Sequence, residues 1–501
     1  MSRLAPLCLL LTLACNGSSG TPTPDTWHGD GPGVADLHRT DADGAAADLA
    51  VIDGHVQTPD GPSTYSCPAP ASGGATIRVG ANETHTTIKA GLAAAKAGDV
   101  VVVADGQYSE SVSITKGGSQ TARLTLCAEQ RRKATLTASG NVLKVDAAWV
   151  TVQGLVLDGA WGGSDVVQAK QNASHLILRD LEIKDGTSDG VDIGGGSAGA
   201  IEGVTIEGCT IHHMLAGSTS SQQDAHCIVA TDFRDLTIRN TEAYYCSGDA
   251  VQVGTDRDRW DGLLIEGCDL WTGPLPAAAA GFKQGESPGE NALDTKAQVY
   301  SAPWLGTVTL RDSLFHGFDP KGAYISNRAA LNLKNQITGL VERCTIQGNE
   351  IALRIRGGSG SYGGVDGLVI KNTVLHDNQF HARLEDDAAN VQFLHNTFGR
   401  QIDANNTPTT TSPANHYKGG GGGNEGPGWL SSNNLFLDAK PPLAGTGDQA
   451  ATDAAGTFAK MTAGDYHLKQ QMNAAAGVGV KVDRDKKPRS TSGPDVGAYE
   501  L

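Results

Sequence analysis

The chain has 501 residues, 65 of them glycine and only 5% aromatic, with a formal net charge of −16. Lys and Arg form no long run, so the basic stripe that neutralises nucleic-acid phosphates is missing and a nucleic-acid partner is discounted. Glycine beside Val, Ile, Leu and Thr suits tight turns between stacked strands, and no helical 3.6 period runs through the chain to suggest leucine-rich repeats.

The amino terminus, MSRLAPLCLLLTLAC (1–15), places one Arg before an apolar run too short to span a bilayer, which reads as an export signal. Its last four residues, Thr12-Leu13-Ala14-Cys15, resemble the bacterial lipobox, with Thr12 where the usual Leu stands. That resemblance implies that Cys15 is lipidated and holds the chain at a cell surface or periplasmic face. Ordinary secretion is the alternative, and no other segment is expected to cross a membrane. Residues 16–73, rich in Gly, Pro, Asp, Thr and Ser, read as a tether.

From residue 74 to 445 the chain is expected to form one solenoid. TIRV (76–79) is a strand, and 86–98 reads as an amphipathic helix with Ile88, Leu92 and Ala95 on one face and Gly98 as its stop. A short phrase then recurs: VTVQGLVL (150–157), LILRDLEI (176–183), VTIEGCTI (204–211), LTIRNTEA (236–243), LLIEGCDL (263–270), VTLRDSLF (308–315), GLVERCTI (339–346) and LVIKNTVL (368–375). Looser copies are LHNTF (394–398) and SNNLF (432–436). A period of mostly about 24 to 32 residues marks a solenoid whose repeats bury their apolar faces against one another. Between about 400 and 430 the pattern lapses, which reads as an excursion forming either a lid or a loose insertion. The opening strand–helix–strand unit resembles the start of right-handed parallel β-helices of the pectate-lyase-like superfamily, where the helix caps the exposed end. The closing segment, 446–501, carries Asp495-Val496-Gly497-Ala498-Tyr499-Glu500, similar to a tail common on bacterial β-helix proteins. The expected fold is therefore all-β: a single-stranded right-handed parallel β-helix with an amino-terminal capping helix, read as a monomer.

Of nine cysteines, Cys209, Cys268 and Cys344 share one place in the repeat. Intervening repeats hold them roughly 10 Å apart, beyond bridging reach, so they read as buried thiols in a column with Leu155, Leu181, Thr241, Ser313 and Thr373. Cys67 with Cys127 and Cys227 with Cys246 are candidate disulfides, undecided by sequence.

Each repeat also holds a strand of alternating polarity: 190–194, 227–231, 250–254, 292–296, 330–334, 352–356 and 381–385. Period-two alternation places Asp192, Val229, Gln252, Asp294, Asn332, Arg354 and Arg383 in one outward column. Gly194, Thr231, Gly254, Lys296, Lys334, Arg356 and Glu385 form a second. Asp189, His226, Asp249 and Asn291 precede these strands. Acids lie toward the amino-terminal rungs and cations further along, a surface suited to an extended anionic chain. Outward charges on a solenoid are also commonly just solvated.

Cleaving a uronate glycan by β-elimination needs a neutralised carboxylate, a base for the C5 proton and help for the leaving oxygen. SDGVDIG (188–194) resembles the calcium-side motif of polysaccharide lyases of family nine, without their consecutive Asp pair, and GENALDTKA (289–297) puts Lys296 where those enzymes carry a lysine base. The resemblance implies a Ca²⁺ cofactor held by Asp189, Asp192, Asp249 and Asp294, and catalysis by Lys296 with Arg354 and Arg356. Lys334, Arg383, Gln252 and Asn291 would bind the acidic polysaccharide. Two alternatives stand beside it. TSDGVDI also resembles a polygalacturonase motif, and Asp192 and Asp249, about two rungs apart, suit inverting hydrolysis. A surface β-helix without catalysis, acting in adhesion or glycan binding, fits the tether equally well. His212 and His213 stand at adjacent strand positions and are expected to point to opposite faces.

Overall fold

Coils of the repeated phrase turn their first corner on a left-handed residue. Asp180 (φ 54°), Gly208 (62°), Asn240 (48°), Gly267 (62°), Asp312 (51°) and Asn372 (51°) each occupy the last place of the polar pair in the repeated phrase. Gly, Asn and Asp tolerate this conformation best, which is why RD, EG, RN and KN recur there. The computed structural model describes residues 65–195, 199–254, 260–296, 305–321, 325–358, 363–420, 426–476 and 478–501. The signal segment with Cys15 and nearly all of the tether lie outside them.

One coil runs from a strand such as Ile177–Arg179, round the corner to Glu182–Gly186, then through a looser turn to Val191–Gly194. Stacked coils give three parallel sheets of 14, 13 and 11 strands, called here the first, second and third. The chain is a right-handed parallel β-helix. The residue after each corner points inward, and Leu155, Leu181, Cys209, Thr241, Cys268, Ser313, Cys344 and Thr373 are all buried in one column. Its polar members serve the backbone. Ser313 Oγ accepts from Cys268 N at 3.1 Å, Asn396 Oδ1 from Thr373 N at 3.0 Å, and Asn434 Oδ1 from Asn396 N at 2.8 Å. A buried amide without such a partner costs about 1–3 kcal/mol. Cys209, Cys268 and Cys344 are free, and burial pushes their thiols up to about 12, so they stay protonated and inert.

Both candidate disulfides form, Cys67–Cys127 (Cα–Cα 5.8 Å) and Cys227–Cys246 (5.6 Å). The first moves the start of the folded part earlier than residue 74. Tyr65 and Cys67 pack on Val100, Val102 and Cys127 of the first sheet, and Tyr65 Oη donates to Ala128 O at 2.8 Å. The capping helix is shorter than expected, Ile88–Ala94, with Thr87 as its cap accepting from Ala90 N. It buries Ile88, Gly91 and Leu92, and Gly91 allows the close approach: a Cβ there would stand 2.5 Å from Val79.

The stretch expected to leave the solenoid makes a short excursion and returns. Gln401–Ile402 pairs antiparallel with Pro408–Thr409, and the chain then re-enters the third sheet at Lys418–Gly420 beside Phe380–Glu385. At the far end Gln449–Ala451 still adds to the second sheet. The closing segment runs back along the outside of the corner, where Arg489 Nη2 donates to Asn372 Oδ1 and Gly497 O at 3.0 and 2.8 Å. Val496, Ala498 and Tyr499 bury themselves there with Tyr466. Among the described residues no helix is long and apolar enough to cross a membrane.

Candidate functional site

The first and third sheets present opposite electrostatic patterns. On the first, Arg179, Glu207, Arg239, Glu266, Arg311, Glu342 and Lys371 stand in register on successive rungs, so every charge faces its opposite. Such a ladder neutralises itself and helps fix register. On the third sheet the pairings Asp192↔Val229, Val229↔Gln252, Gln252↔Asp294, Asp294↔Asn332, Asn332↔Arg354, Arg354↔Arg383 and Arg383↔Lys418 reproduce the outward column expected from sequence. No alternation protects it. Its carboxy-terminal rungs carry six cations, Lys296, Lys334, Arg354, Arg356, Arg383 and Lys418, against Asp294 and Glu385. A chain of net charge −16 thus concentrates positive charge on one strip.

Three of these cations share one carboxylate. The Glu385 side chain is 5% exposed and meets Arg354 Nε at 3.1 Å, Arg356 Nε at 3.2 Å and Arg383 Nε at 2.8 Å. Arg383 Nη1 also donates to Asn327 Oδ1 at 2.6 Å. Three guanidiniums on one acid leave an excess of two positive charges, held rigidly at the surface. Arg354 and Arg356 stand two rungs beyond Lys296 and Arg383 three, roughly 10 and 14 Å, so Arg354 and Arg356 do not gather with it in one centre as expected.

Upstream, Lys296 enters a cluster of acids. Its Nζ donates to Gln252 Oε1 at 2.6 Å and lies 3.7 Å from Asp294 Oδ2, which Lys334 Nζ meets at 3.0 Å. Gly254 (φ 73°) allows this placement, since a Cβ there would fall 1.9 Å from Lys296 O. Asp249 is 1% exposed and accepts from Asn291 Nδ2 at 2.7 Å. Burial, and then Asp294, raise its carboxyl well above the usual range. Burial raises Glu290 to about 8, with Asp249, Asp224 and Asp294 adding to the effect. Burial alone would lower Lys296, but Asp294, Asp249, Asp224 and Glu290 together outweigh it, and its ammonium is held protonated. A lysine base needs the reverse shift, which these surrounding acids do not give Lys296.

His226 lies between Asp189 and Asp249. Its Nδ1 accepts from Asp249 N at 2.8 Å, so that nitrogen carries no proton, and burial lowers its pKa. The His226 backbone N–H donates to Asp189 Oδ1 at 2.8 Å. Burial raises Asp189 to about 6.

The four expected calcium ligands do not form one cluster. Asp192 lies three rungs from Asp294, roughly 14 Å, and is paired with Lys170 Nζ at 2.5 Å. Asp189 neighbours Asp165 and Asp192, while Asp249 neighbours Asp294. Calcium takes six to eight oxygens. Here the Asp294 oxygens are engaged by Lys334 and by Asn332 Nδ2 at 3.0 Å, and Gln252 Oε1 by Lys296. Among the described residues no three His, Cys, Asp or Glu side chains gather as a metal site. The residues present do not fit a calcium ion.

Sequence reasoning did not select Glu290, and it placed Glu385 in the second outward column without giving it a role. Each sits beside a residue it did select, but a carboxylate's burial depends on turns and neighbouring coils that no local pattern reports. The histidine pair is a further correction. His213 adopts a positive φ of 59°, which breaks the pleat, and the two Nδ1 atoms meet at 2.6 Å. His212 then stacks in register with Tyr244, Trp271 and His316, whose ring faces cover one another.

The class defined by this fold and face is a right-handed parallel β-helix with a cation-rich third sheet. No protein-family model and no curated protein sequence matches the chain. Among solved structures it is similar to the pectate lyase Pel9A, at 15% identity and a TM-score of 0.45 over 87% of this chain and 100% of that one. A rhamnogalacturonan lyase aligns at 14% identity and TM-score 0.45 over 60% and 82%. An alginate lyase from Paenibacillus sp. str. FPU-7 aligns at 14% and 0.39 over 65% and 94%. The chemistry of this chain is read from its own residues.

Proposed function

We propose that the chain is an exported β-helix protein that binds an acidic polysaccharide along its third sheet and cleaves it by β-elimination. The observation that carries the reading is the excess of cations over carboxylates on the carboxy-terminal rungs of that sheet, set against the alternating ladder on the first. Arg354, Arg356, Arg383 and Lys334 receive carboxylates of the polymer, and a Lys or Arg beside the reacting uronate withdraws its negative charge. Lys296, held protonated, donates to the leaving oxygen. Glu290, with a pKa near neutral to alkaline pH, accepts the C5 proton. Asn291 orients Asp249, and Gln252 fixes the Lys296 ammonium. Lipidation at Cys15 would hold this face at a cell surface.

A second reading is favoured by the raised acids Asp249 and Glu290. A carboxyl that keeps its proton also serves as the general acid of inverting hydrolysis. Incubation with polygalacturonate, alginate or a glycosaminoglycan separates the two. Elimination yields an unsaturated product that absorbs in the ultraviolet, whereas hydrolysis yields reducing ends without it. Retention without depolymerisation would leave glycan binding alone.

Glu290 makes a pH prediction. Folded, it keeps a proton up to about pH 8, where the unfolded chain has released it above about 4.5. The folded state then binds more protons, so this group's contribution falls as pH rises between those values, by up to about 1.4 kcal/mol per unit. Above pH 8 its new charge also repels an anionic ligand. Thermal unfolding and glycan retention followed from pH 6 to 9 should both decline, and Glu290→Gln should flatten both curves. Unchanged slopes in that variant would remove Glu290 from the site.

A further inference from the structure

We infer that Lys334, assisted by Lys296, occupies the place a divalent cation would hold beside Asp249 and Asp294, so that the third sheet engages acidic glycans without calcium. The inference rests on the glycan-binding reading above and concerns what neutralises charge there. Asp249 and Asp294 are 1% and 3% exposed on adjacent rungs; burial raises the Asp249 carboxyl, and the ion-paired Asp294 beside it needs a counter-charge. That charge is already part of the chain. Lys334 Nζ lies 3.0 Å and Lys296 Nζ 3.7 Å from Asp294 Oδ2, and the two lysine side chains are 18% and 28% exposed. They therefore meet Asp294 on one side and an arriving carboxylate on the other.

Two further oxygens of this pair are also taken. Asp294 Oδ1 accepts from Asn332 Nδ2, and Asp249 Oδ1 from Asn291 Nδ2. Asn332 Oδ1 is a buried oxygen left without a partner, a single neutral donor where calcium needs six or more. An ammonium needs no such shell: three N–H groups and one positive charge suffice, and both lysines are tied to the scaffold by their strands.

Three measurements test this. Calorimetric titration of the full chain with calcium chloride should give no saturable binding, and its melting temperature should be the same in chelator and in millimolar calcium. Polygalacturonate retention in an affinity gel should change less than about twofold between those conditions. Lys334→Met should weaken that retention by about tenfold, the loss expected for one charge-assisted contact. By freeing Asp294, it should also make the melting temperature rise with calcium. The double variant Lys334→Met with Asp294→Asn should lose that calcium response, which separates metal capture from general instability. Saturable calcium binding by the unaltered chain, or a Lys334→Met protein indifferent to calcium, overturns the inference. If no acidic glycan is retained under any condition, the functional reading fails while the titration and melting data still decide this one.

Discussion

Arg354→Ala and Arg383→Ala should each weaken retention of an acidic polysaccharide by about tenfold, and together by more than the product of the two. A hydrogen bond between charged partners contributes about 1.5–3 kcal/mol, and 1.4 kcal/mol is a factor of ten. The excess over additivity follows from Glu385. It neutralises one of three guanidiniums, so the first substitution takes the local charge from +2 to +1 and the second takes it to zero. The remaining Arg356 is then fully engaged by the carboxylate and has nothing left for a ligand. Retention by the unaltered chain should fall as salt rises, and that of the double variant should fall less steeply, since Lys334 and Lys296 remain. Arg239→Ala is the control. Arg239 faces Glu207 and Glu266 on the first sheet, and its loss should leave retention unchanged. Equal losses at Arg239 and Arg354 would mean that retention reflects overall charge and not this face.

Glu385→Ala should lower stability by about 3–5 kcal/mol, the cost of removing one partner from a buried charge network. Its carboxylate ties the strands Ile351–Arg356 and Phe380–Glu385 together on their outer face, and without it three guanidiniums repel one another across adjacent rungs. Denaturant unfolding should show the loss as a lower midpoint. Glycan retention, measured well below the melting temperature, should survive, because the net charge of the trio rises from +2 to +3. Stability and binding thus move apart, which a merely misfolded variant would not do. A change below about 1 kcal/mol would show that the three arginines do not depend on Glu385 for their placement.

Much of the architecture was legible because a β-helix repeats its physics at every coil. The phrase around Asp180, Asn240 and Asp312 encodes a left-handed corner followed by one inward side chain, and both properties belong to local sequence. The outward column from Asp192 to Arg383 was legible for the same reason. Alternation within a strand has a period of two, and parallel coils add at constant spacing, so rung and face follow once the strands are aligned. Lys296 as a base, and four aspartates as one calcium site, were not supported, because both depend on distances between side chains of different coils. Lys334 lies 38 residues after Lys296 yet reaches the same carboxylate oxygen. The start of the folded part was misplaced because Tyr65 and Cys67 sit in tether-like sequence, and only their contacts with Val100, Val102 and Cys127 draw them in.

By itself, then, the sequence determined the solenoid, its capped amino-terminal end, the buried thiol column and which residues share the outer face of the third sheet. These are properties of short-range periodicity, and each coil restates them. The tertiary structure alone decided which charges are satisfied. It set a self-cancelling ladder on the first sheet against an uncancelled one on the third, gathered Arg354, Arg356 and Arg383 on Glu385, and put Lys334 and Lys296 beside buried Asp294. The reason is that burial and counter-charge arise between coils, at a range no motif within one coil can carry.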